Sequence, residues 1–498
     1  MLDQSTTAAL RTAASQDLAS QDLSSPTPAS QTPALQRVVA ELLAALGPDV
    51  VTPASDFGSR RLLDWSGMRG ATPIALLRPR STQQVSEALA VCHALGQSVV
   101  TQGGLTGLAG GANAQGGEVA LSLERMHAIE EIDTVSGTLT VQAGAILQRV
   151  QEAADAAGML FALDLGARGS CTIGGNLATN AGGNRVIKYG MARELVVGLE
   201  VVLADGTIIS DMHKMIKNNS GYDLKHLMIG SEGTLGVITR AVMRLLPKPA
   251  GVATAWCGLP DFAAVTRLLA HAQARCAGGV SAFEVMWPSY VDFVIDSVPG
   301  VRAPLDTRHA YYVLLESVGS DAGRHAEEFE TMLGEMLEQG VVENAALATS
   351  VADANAFWAV RDAPAEFPVL LPQLIGFDIS FPIADVGAFA AQCESMLHER
   401  WPGIRTLVYG HLGDGNLHLI AHIHDAPDGF PEAVDAAVYA LTRDWRGAVS
   451  AEHGIGAKKR AYLPYTRDAG AIAAMRAIKR ALDPGNLLNP GKIFPADA

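Results

Sequence analysis

The sequence predicts a mixed α and β protein of two or three domains, and three observations carry the prediction. The chain has 498 residues, more than one hydrophobic core normally organises. Its 48% hydrophobic and 18% charged residues are globular rather than disordered proportions. Helix-periodic segments and short apolar runs alternate on both sides of a Pro247-Lys-Pro249 break.

The elements follow in order. Residues 1–33 are rich in Ser, Thr, Gln, Ala and Pro and repeat Ser15-Gln-Asp-Leu18 as Ser20-Gln-Asp-Leu23, so a disordered tail is expected. It lacks the apolar stretch of a secretory signal, and with Arg11 as its one basic residue it resembles a transit peptide only weakly. The span 35–46 reads as an amphipathic helix, 74–79 as a strand, and 82–95 as a helix closed by Gly96. A strand at 98–101 enters a Gly-rich segment; 118–123 and 138–142 are further strands, and 147–157 is a helix before Gly158. The strand at 196–203 meets a partner at 207–209 through Asp205-Gly206, and 236–246 is a strand that stops at the Pro pair. This closes a first unit, 34–250. Helices at 261–276 and 322–337 then alternate with strands at 310–316 and 377–381, the pattern of a second, α/β unit over 251–445. A C-terminal segment, 446–498, carries a helix at 469–482 that ends before Asp483-Pro484-Gly485.

The most specific chemistry lies in Tyr409-Gly-His-Leu-Gly-Asp-Gly-Asn-Leu-His418. Asp414-Gly415 suits a two-residue type I′ turn. That register places His411 directly opposite His418, a preformed two-point site for zinc or a similar divalent ion. Glu452, in Ser450-Ala-Glu-His-Gly-Ile-Gly456, is the third candidate ligand, with His453 beside it. His422 and His424 share the strand face of His418 and are fallback ligands. The competing reading is a pair of hydrogen-bonded sheet histidines.

Composition excludes several classes. A formal charge of −15 argues against nucleic acid and against a polybasic membrane anchor. No apolar run is long enough to span a bilayer. The five cysteines, Cys92, Cys171, Cys257, Cys276 and Cys393, form no Cys-x-x-Cys pair, which removes an iron–sulfur signature and fits a reducing, cytoplasmic compartment.

Two loops are dense in small residues: Thr101-Gln-Gly-Gly-Leu-Thr-Gly-Leu-Ala-Gly-Gly-Ala112 and Gly169-Ser-Cys-Thr-Ile-Gly-Gly-Asn-Leu-Ala-Thr-Asn-Ala-Gly-Gly183. Glycines let backbone N–H groups curl around an anion, so the loops suit a pyrophosphate without many cations. Neither nucleotide fingerprint, G-x-G-x-x-G in a strand-to-helix turn or G-x-x-x-x-G-K-[ST], occurs in proper form, so a Rossmann-bound nicotinamide is not expected.

With Gln102-Gly-Gly-Leu-Thr-Gly107, Gly174-Gly-Asn-Leu-Ala-Thr-Asn-Ala-Gly-Gly183, Ile229-Gly-Ser-Glu-Gly-Thr-Leu-Gly236, the two histidine motifs and Leu488-Asn-Pro-Gly-Lys492, the chain resembles the FAD-dependent D-2-hydroxy-acid dehydrogenases. These belong to the vanillyl-alcohol oxidase/p-cresol methylhydroxylase flavoproteins, and the group includes D-lactate, glycolate and D-2-hydroxyglutarate dehydrogenases. The resemblance covers nearly everything after the tail. It implies an α+β fold: a two-subdomain FAD-binding domain, an α/β cap over the flavin, and a C-terminal segment returning to the FAD domain. It assigns the pyrophosphate to Gly103, Gly104, Leu105, Thr106 and Gly107. It sets Ser170, Thr172, Gly175, Asn176, Thr179 and Gly182 beside the isoalloxazine. Glu232, Gly233 and Ile238 fall near the adenosine, and Asn489 closes the site. Leu105 stands where some relatives carry a flavin-linking His, so the FAD is expected to be noncovalent.

The implied reaction is oxidation of a D-2-hydroxy acid, with a divalent metal on His411, His418 and Glu452, His453 as general base and Arg361 gripping the substrate carboxylate. Three polar positions of the D-2-hydroxyglutarate enzymes are replaced here by Gly376, Ala365 and Ile420. A D-lactate-like acid with a small or apolar side chain is therefore favoured. The alternatives are D-2-hydroxyglutarate, with a pocket rebuilt around Trp287, Tyr290 and Trp358, or a non-redox transferase on the same fold. Electrons are expected to leave to a diffusing quinone, cytochrome or electron-transfer flavoprotein, and a homodimer is the family-level expectation.

Overall fold

The computed structural model describes residues 32–496. The expectations for the Ser/Gln-rich tail fall outside the described residues, except that Pro33 already opens a helix, Pro33–Leu46.

The first unit has two main sheets. Val51–Pro53 (β1), Ala75–Leu77 (β2), Val99–Gln102 (β3) and Val119–Ser122 (β4) are ordered β1-β2-β4-β3, with β4 parallel to both β2 and β3. Ile129–Asp133 (β5) and Thr138–Gln142 (β6) precede a short strand, Met159–Leu160 (β7). Val196–Val202 (β8), Ile208–Asp211 (β9) and Val237–Arg244 (β10) complete an antiparallel sheet ordered β5-β6-β10-β8-β9. Leu246–Pro247 (β11) pairs with β7.

Local chemistry sets the ends of the helix Thr82–Ala94. The Ser81 hydroxyl accepts the Gln84 N–H at its start, and Gly96 follows at φ +62°. Its buried face, with Val85, Ala88, Leu89 and Cys92, joins one core running from Val38 to Leu245.

The second unit is built on seven strands. They are Gly251–Leu259 (β12), Val280–Met286 (β13), Tyr311–Gly319 (β14), Asn344–Leu347 (β15), Ile375–Ser380 (β16), Arg405–His411 (β17) and Asn416–His422 (β18). Their order is β15-β12-β14-β13-β17-β18-β16, and every pairing is antiparallel. Helix Phe262–Arg275 carries the chain from β12 across to β13, and β14 fills the gap between them in the opposite direction. This split crossover lets helices and strands alternate in sequence while the sheet stays antiparallel.

The sheet has two different faces. On one, Phe283, Val285, Phe377, Ile379, Val408, Leu417 and Leu419 are buried with the helices Phe262–Arg275, Ala322–Glu338, Val386–Arg400 and Phe430–Asp444. On the other, Trp256, Met286, Leu407, Tyr409 and Ile420 pack with the helices Pro288–Ser297 and Val351–Arg361. The C-terminal segment returns to the first unit, where Val99 N–H donates to Leu487 O and Asn489 N–H to Val99 O. No helix among the described residues is long and apolar enough to cross a membrane, and all five cysteines are free thiols.

Candidate active site

Register puts the reactive side chains on the second face of the cap sheet. The predicted two-residue hairpin is not what forms. Pairing of β17 with β18 ends at Tyr409↔His418, and Leu412–Asp414 make a 3-10 turn closed by Gly415 at φ +78°. The wider turn has clear causes. Leu412 is fully buried, Gly413 sits against Ile187 of the first unit, and Asp414 Oδ1 accepts the Asn416 N–H. His411 instead lies opposite Glu284 on β13. The register differs from the predicted one by two residues, and an even shift leaves every side chain on its face. His411 and His418 are therefore diagonal neighbours, with ring centroids 5.2 Å apart.

The third arm is the loop 450–456, and three anchors hold it. Asp378 on β16 accepts the N–H groups of Glu452 (3.0 Å) and His453 (2.9 Å), and the Ser450 hydroxyl at 3.2 Å. Lys459 lies 3.5 Å from the same carboxylate, which is fully buried. From the first unit, Glu232 accepts the N–H groups of Ile455 and Gly456, each at 2.7 Å. Glu452 then reaches across the interface, where its Oε1 accepts the Gly183 N–H at 2.5 Å.

His411, His418 and Glu452 can bring one ligand atom each within 4.8 Å of one another. Two imidazoles and a carboxylate are a chemically suitable donor set for zinc and similar ions. Asp378, Glu452 and His453 form a second such group sharing Glu452. His422 is half-buried beyond Ile420, and His424 is 92% exposed, so the fallback ligands do not converge on the site.

The electrostatics separate the histidines. Burial, reinforced by His411, pushes His418 well below its usual value and keeps it neutral, as a ligand must be. Burial also lowers His453 despite Asp378, so its ring is a neutral base at pH 7. Burial opposes charge on His411 too, but Glu284 outweighs it and raises that ring to about 9. Asp378 would be raised by burial; His453 and Lys459 outweigh this and hold it well below the carboxylate range. Arg361 is 5% exposed, donates from Nε to Glu284 at 2.6 Å, and lies over the Tyr409 ring at 4.8 Å.

The Gly-rich loops pack directly against each other. A Cβ on Gly104 would stand 2.1 Å from Ser170 O, and one on Gly103 would stand 2.7 Å from Thr172 Oγ1. Thr172 caps the short helix Ile173–Ala178 by accepting the Gly175 N–H, and Thr179 donates to Gly175 O. Leu105 and Glu232 hold positive φ, +57° and +53°. Asn489 accepts the Thr101 N–H and donates to Glu232 O, and its amide lies over Gly233. Gly107 faces Asp64, Asn176 is buried, and Ile238 is a buried β10 residue. Gly182 lies beneath Glu452, where a Cβ would stand 2.5 Å from Oε1. Thr106 and Ser170 stand at the same pair of loops.

Buried polar atoms without partners mark the places still open: Gln102 Oε1, Thr101 Oγ1, Asp64 Oδ2, and both side-chain polar atoms of Asn416. Glycine backbones with orphaned donors and acceptors around them fit a dinucleotide cofactor. Asn416, Glu284, Asp378 and Lys459 were not singled out by sequence reasoning. Only Asn416 had a local signal, its place between the two histidines. Of the three aromatic residues expected as pocket walls, Trp358 lines a cavity between the two units and donates from Nε1 to Glu316 at 3.1 Å, whereas Trp287 and Tyr290 are core residues. Trp287 packs on Tyr311, and the Tyr290 hydroxyl donates to Val360 O and Arg361 O.

Comparisons with known proteins show the family and the fold. Residues 73–211 match the family model described as FAD binding domain, and residues 248–493 match FAD linked oxidases, C-terminal domain. The mitochondrial D-2-hydroxyglutarate dehydrogenase of Bos taurus is 40% identical over 88% of this chain and 79% of its own length. That of Arabidopsis thaliana is 37% identical over 87% and 77%. A putative mitochondrial D-lactate dehydrogenase of Schizosaccharomyces pombe is 33% identical over 90% and 86%. In fold, p-cresol methylhydroxylase superposes with a TM-score of 0.76 at 16% identity over 95% of this chain and 99% of that one. Alkyldihydroxyacetonephosphate synthase superposes with a TM-score of 0.73 at 18% identity over 93% and 86%.

Proposed function

The chain belongs to the FAD-linked D-2-hydroxy-acid dehydrogenases, and from that premise we propose that it oxidises a D-2-hydroxy acid with a small or apolar side chain, D-lactate-like, to the 2-oxo acid. The observation that carries this reading is the convergence of His411, His418, Glu452, His453 and Arg361 on one face of the cap sheet, against the Gly182–Gly183 backbone.

Bound FAD supplies the acceptor for the hydride that leaves C2. His411, His418 and Glu452 would hold a divalent ion, most simply zinc, which would supply positive charge at the substrate. Arg361 orients the substrate through its carboxylate, using donors that Glu284 leaves free. His453 takes the hydroxyl proton; Asp378 holds its backbone in place, and burial keeps the ring neutral. The Gly103–Gly107 and Ser170–Gly182 loops hold the cofactor through backbone groups, with noncovalent attachment because Leu105 offers no nucleophile. The electrons then pass to a diffusing acceptor, a quinone, cytochrome or electron-transfer flavoprotein. Five free thiols suit a reducing compartment such as the cytoplasm.

The apolar preference has local support. Gly376 pairs with Ile420, and the space above it is walled by Ile420 and Leu374. A cavity of about 730 Å³ opens between the two units beside Asp362 and contains Arg168 and Arg185. Both guanidinium groups are already paired, Arg168 with Asp164 at 2.9 Å and Arg185 with Glu316 at 3.1 Å. A second substrate carboxylate would have to compete with Asp164 and Glu316 for these two cations. The names of the relatives favour D-2-hydroxyglutarate as the second reading. Steady-state rates with an artificial acceptor separate the two: kcat/KM is expected to be higher for D-lactate or D-2-hydroxybutyrate, and a clear excess for D-2-hydroxyglutarate would replace this reading with the second.

A further inference from the structure

One carboxylate ties together two of the groups expected to face the substrate. Glu284 lies on β13, 127 residues from His411 and 77 from Arg361, and is 1% exposed. Both of its oxygens lie 2.8 Å from His411 Nδ1, and Oε2 also accepts Arg361 Nε–H at 2.6 Å. An ionised carboxylate can only accept. The short contact therefore requires a proton on Nδ1, which makes Nε2 the nitrogen a metal ion takes once that nitrogen has given up its proton. The same carboxylate occupies the Nε edge of Arg361, whose Nη2 lies 3.4 Å from His411 Nδ1 and 3.3 Å from Nε2, so clamp and ring also touch each other directly.

We propose that Glu284 is a positioning residue that sets the metal-binding tautomer of His411 and the pose of Arg361 together. The inference rests on the proposed reading of His411 as a metal ligand. A carboxylate behind a ligating histidine is a general way to orient the ring and raise its basicity. Here the same carboxylate also indexes the substrate clamp against the metal position, so the two move as one unit.

Glu284→Gln tests this with almost no change of shape. Arg361 can only donate, so the Gln carbonyl oxygen must face it. The Gln NH₂ then replaces Oε1 beside His411, so one of the two acceptors 2.8 Å from Nδ1 becomes a donor and the hold on the Nδ1 proton weakens. The experiment titrates metal-stripped, FAD-loaded wild type, Glu284→Gln and Glu284→Asp with Zn²⁺ by calorimetry, recording flavin absorbance and circular dichroism alongside. The expected result is a zinc affinity about 10–100-fold weaker in Glu284→Gln, with FAD content and dichroism unchanged and partial recovery in Glu284→Asp. Wild-type zinc affinity in Glu284→Gln overturns the inference and leaves the metal reading standing. A wild type that takes up no ion overturns the metal reading itself. Should Glu284→Gln lose its flavin, ¹⁵N-histidine spectra of zinc-loaded wild type decide: Nδ1 protonated supports the role, and Nε2 protonated overturns it.

Discussion

The cofactor loops of the first unit and the reactive face of the cap sheet solve opposite problems. The loops work by having little side chain: Gly103 and Gly104 let two backbones touch, and a single added methyl would collide with Ser170 or Thr172. The cap face works by crowding charged side chains into a buried sheet. Glu284, Asp378, Arg361 and Lys459 are all at most 5% exposed there, and each is stable only because the others are present. The loops are therefore sensitive to added volume, while the sheet face is sensitive to a change of charge or hydrogen-bond polarity at constant volume.

The largest effect expected is on the sheet face. His453→Ala should lower the rate of flavin reduction by about 10²–10⁴-fold, the usual range for loss of a general base, without loss of FAD. Stopped-flow reduction together with the flavin-to-protein absorbance ratio checks it, and near-normal reduction would remove His453 from the proton transfer. Next comes Asp378→Asn, which keeps the shape but strips the partner from Lys459 and weakens the hold on the N–H groups of Glu452 and His453. Breaking a buried pair in this way costs about 3–5 kcal/mol, readable as a lower midpoint in denaturant. If stability barely changes, the crowded-charge description of this face is wrong. Smaller, and specific to the loops, Gly104→Ala should cost about 1–3 kcal/mol through overpacking and reduce bound FAD. Gly376→Ala is its control in the cap: the nearest atom to its new methyl is Ile420 Cδ1 at 3.5 Å, so FAD content should not change. Equal behaviour of the two alanine variants would erase the contrast.

The two regions also differ in how far the sequence alone reveals them. The glycine loops are contiguous, so their motif and their proximity to a ligand can be read from a single stretch. The helices behind them were legible for a similar reason: Ser81 and Gly96 mark a start and a stop within the chain segment itself. In the cap, the histidine pair was found through its turn residues, but its register was misplaced by two because burial of Leu412 and the contact of Gly413 with Ile187 decide the turn, and both are tertiary. Glu284 and Asp378 left no local trace. They matter because β13 and β16 flank the β17–β18 pair, and sheet order of that kind is set by long-range pairing. Of the three aromatic residues expected at the pocket, Trp287 and Tyr290 are drawn into the cores instead, while Trp358 lines the cavity between the units.

The central claim is that a metal-dependent hydroxy-acid oxidation occurs where the cap face meets the glycine loops. Anaerobic bleaching of the flavin near 450 nm, with D- and L-2-hydroxy acids before and after chelation by EDTA, tests it most directly. The account predicts rapid bleaching by D-lactate or a close apolar homologue, little by the L-acid, and loss of the reaction on chelation with recovery on added zinc. Bleaching by no D-2-hydroxy acid in the FAD- and zinc-loaded protein, or bleaching indifferent to chelation, would contradict it.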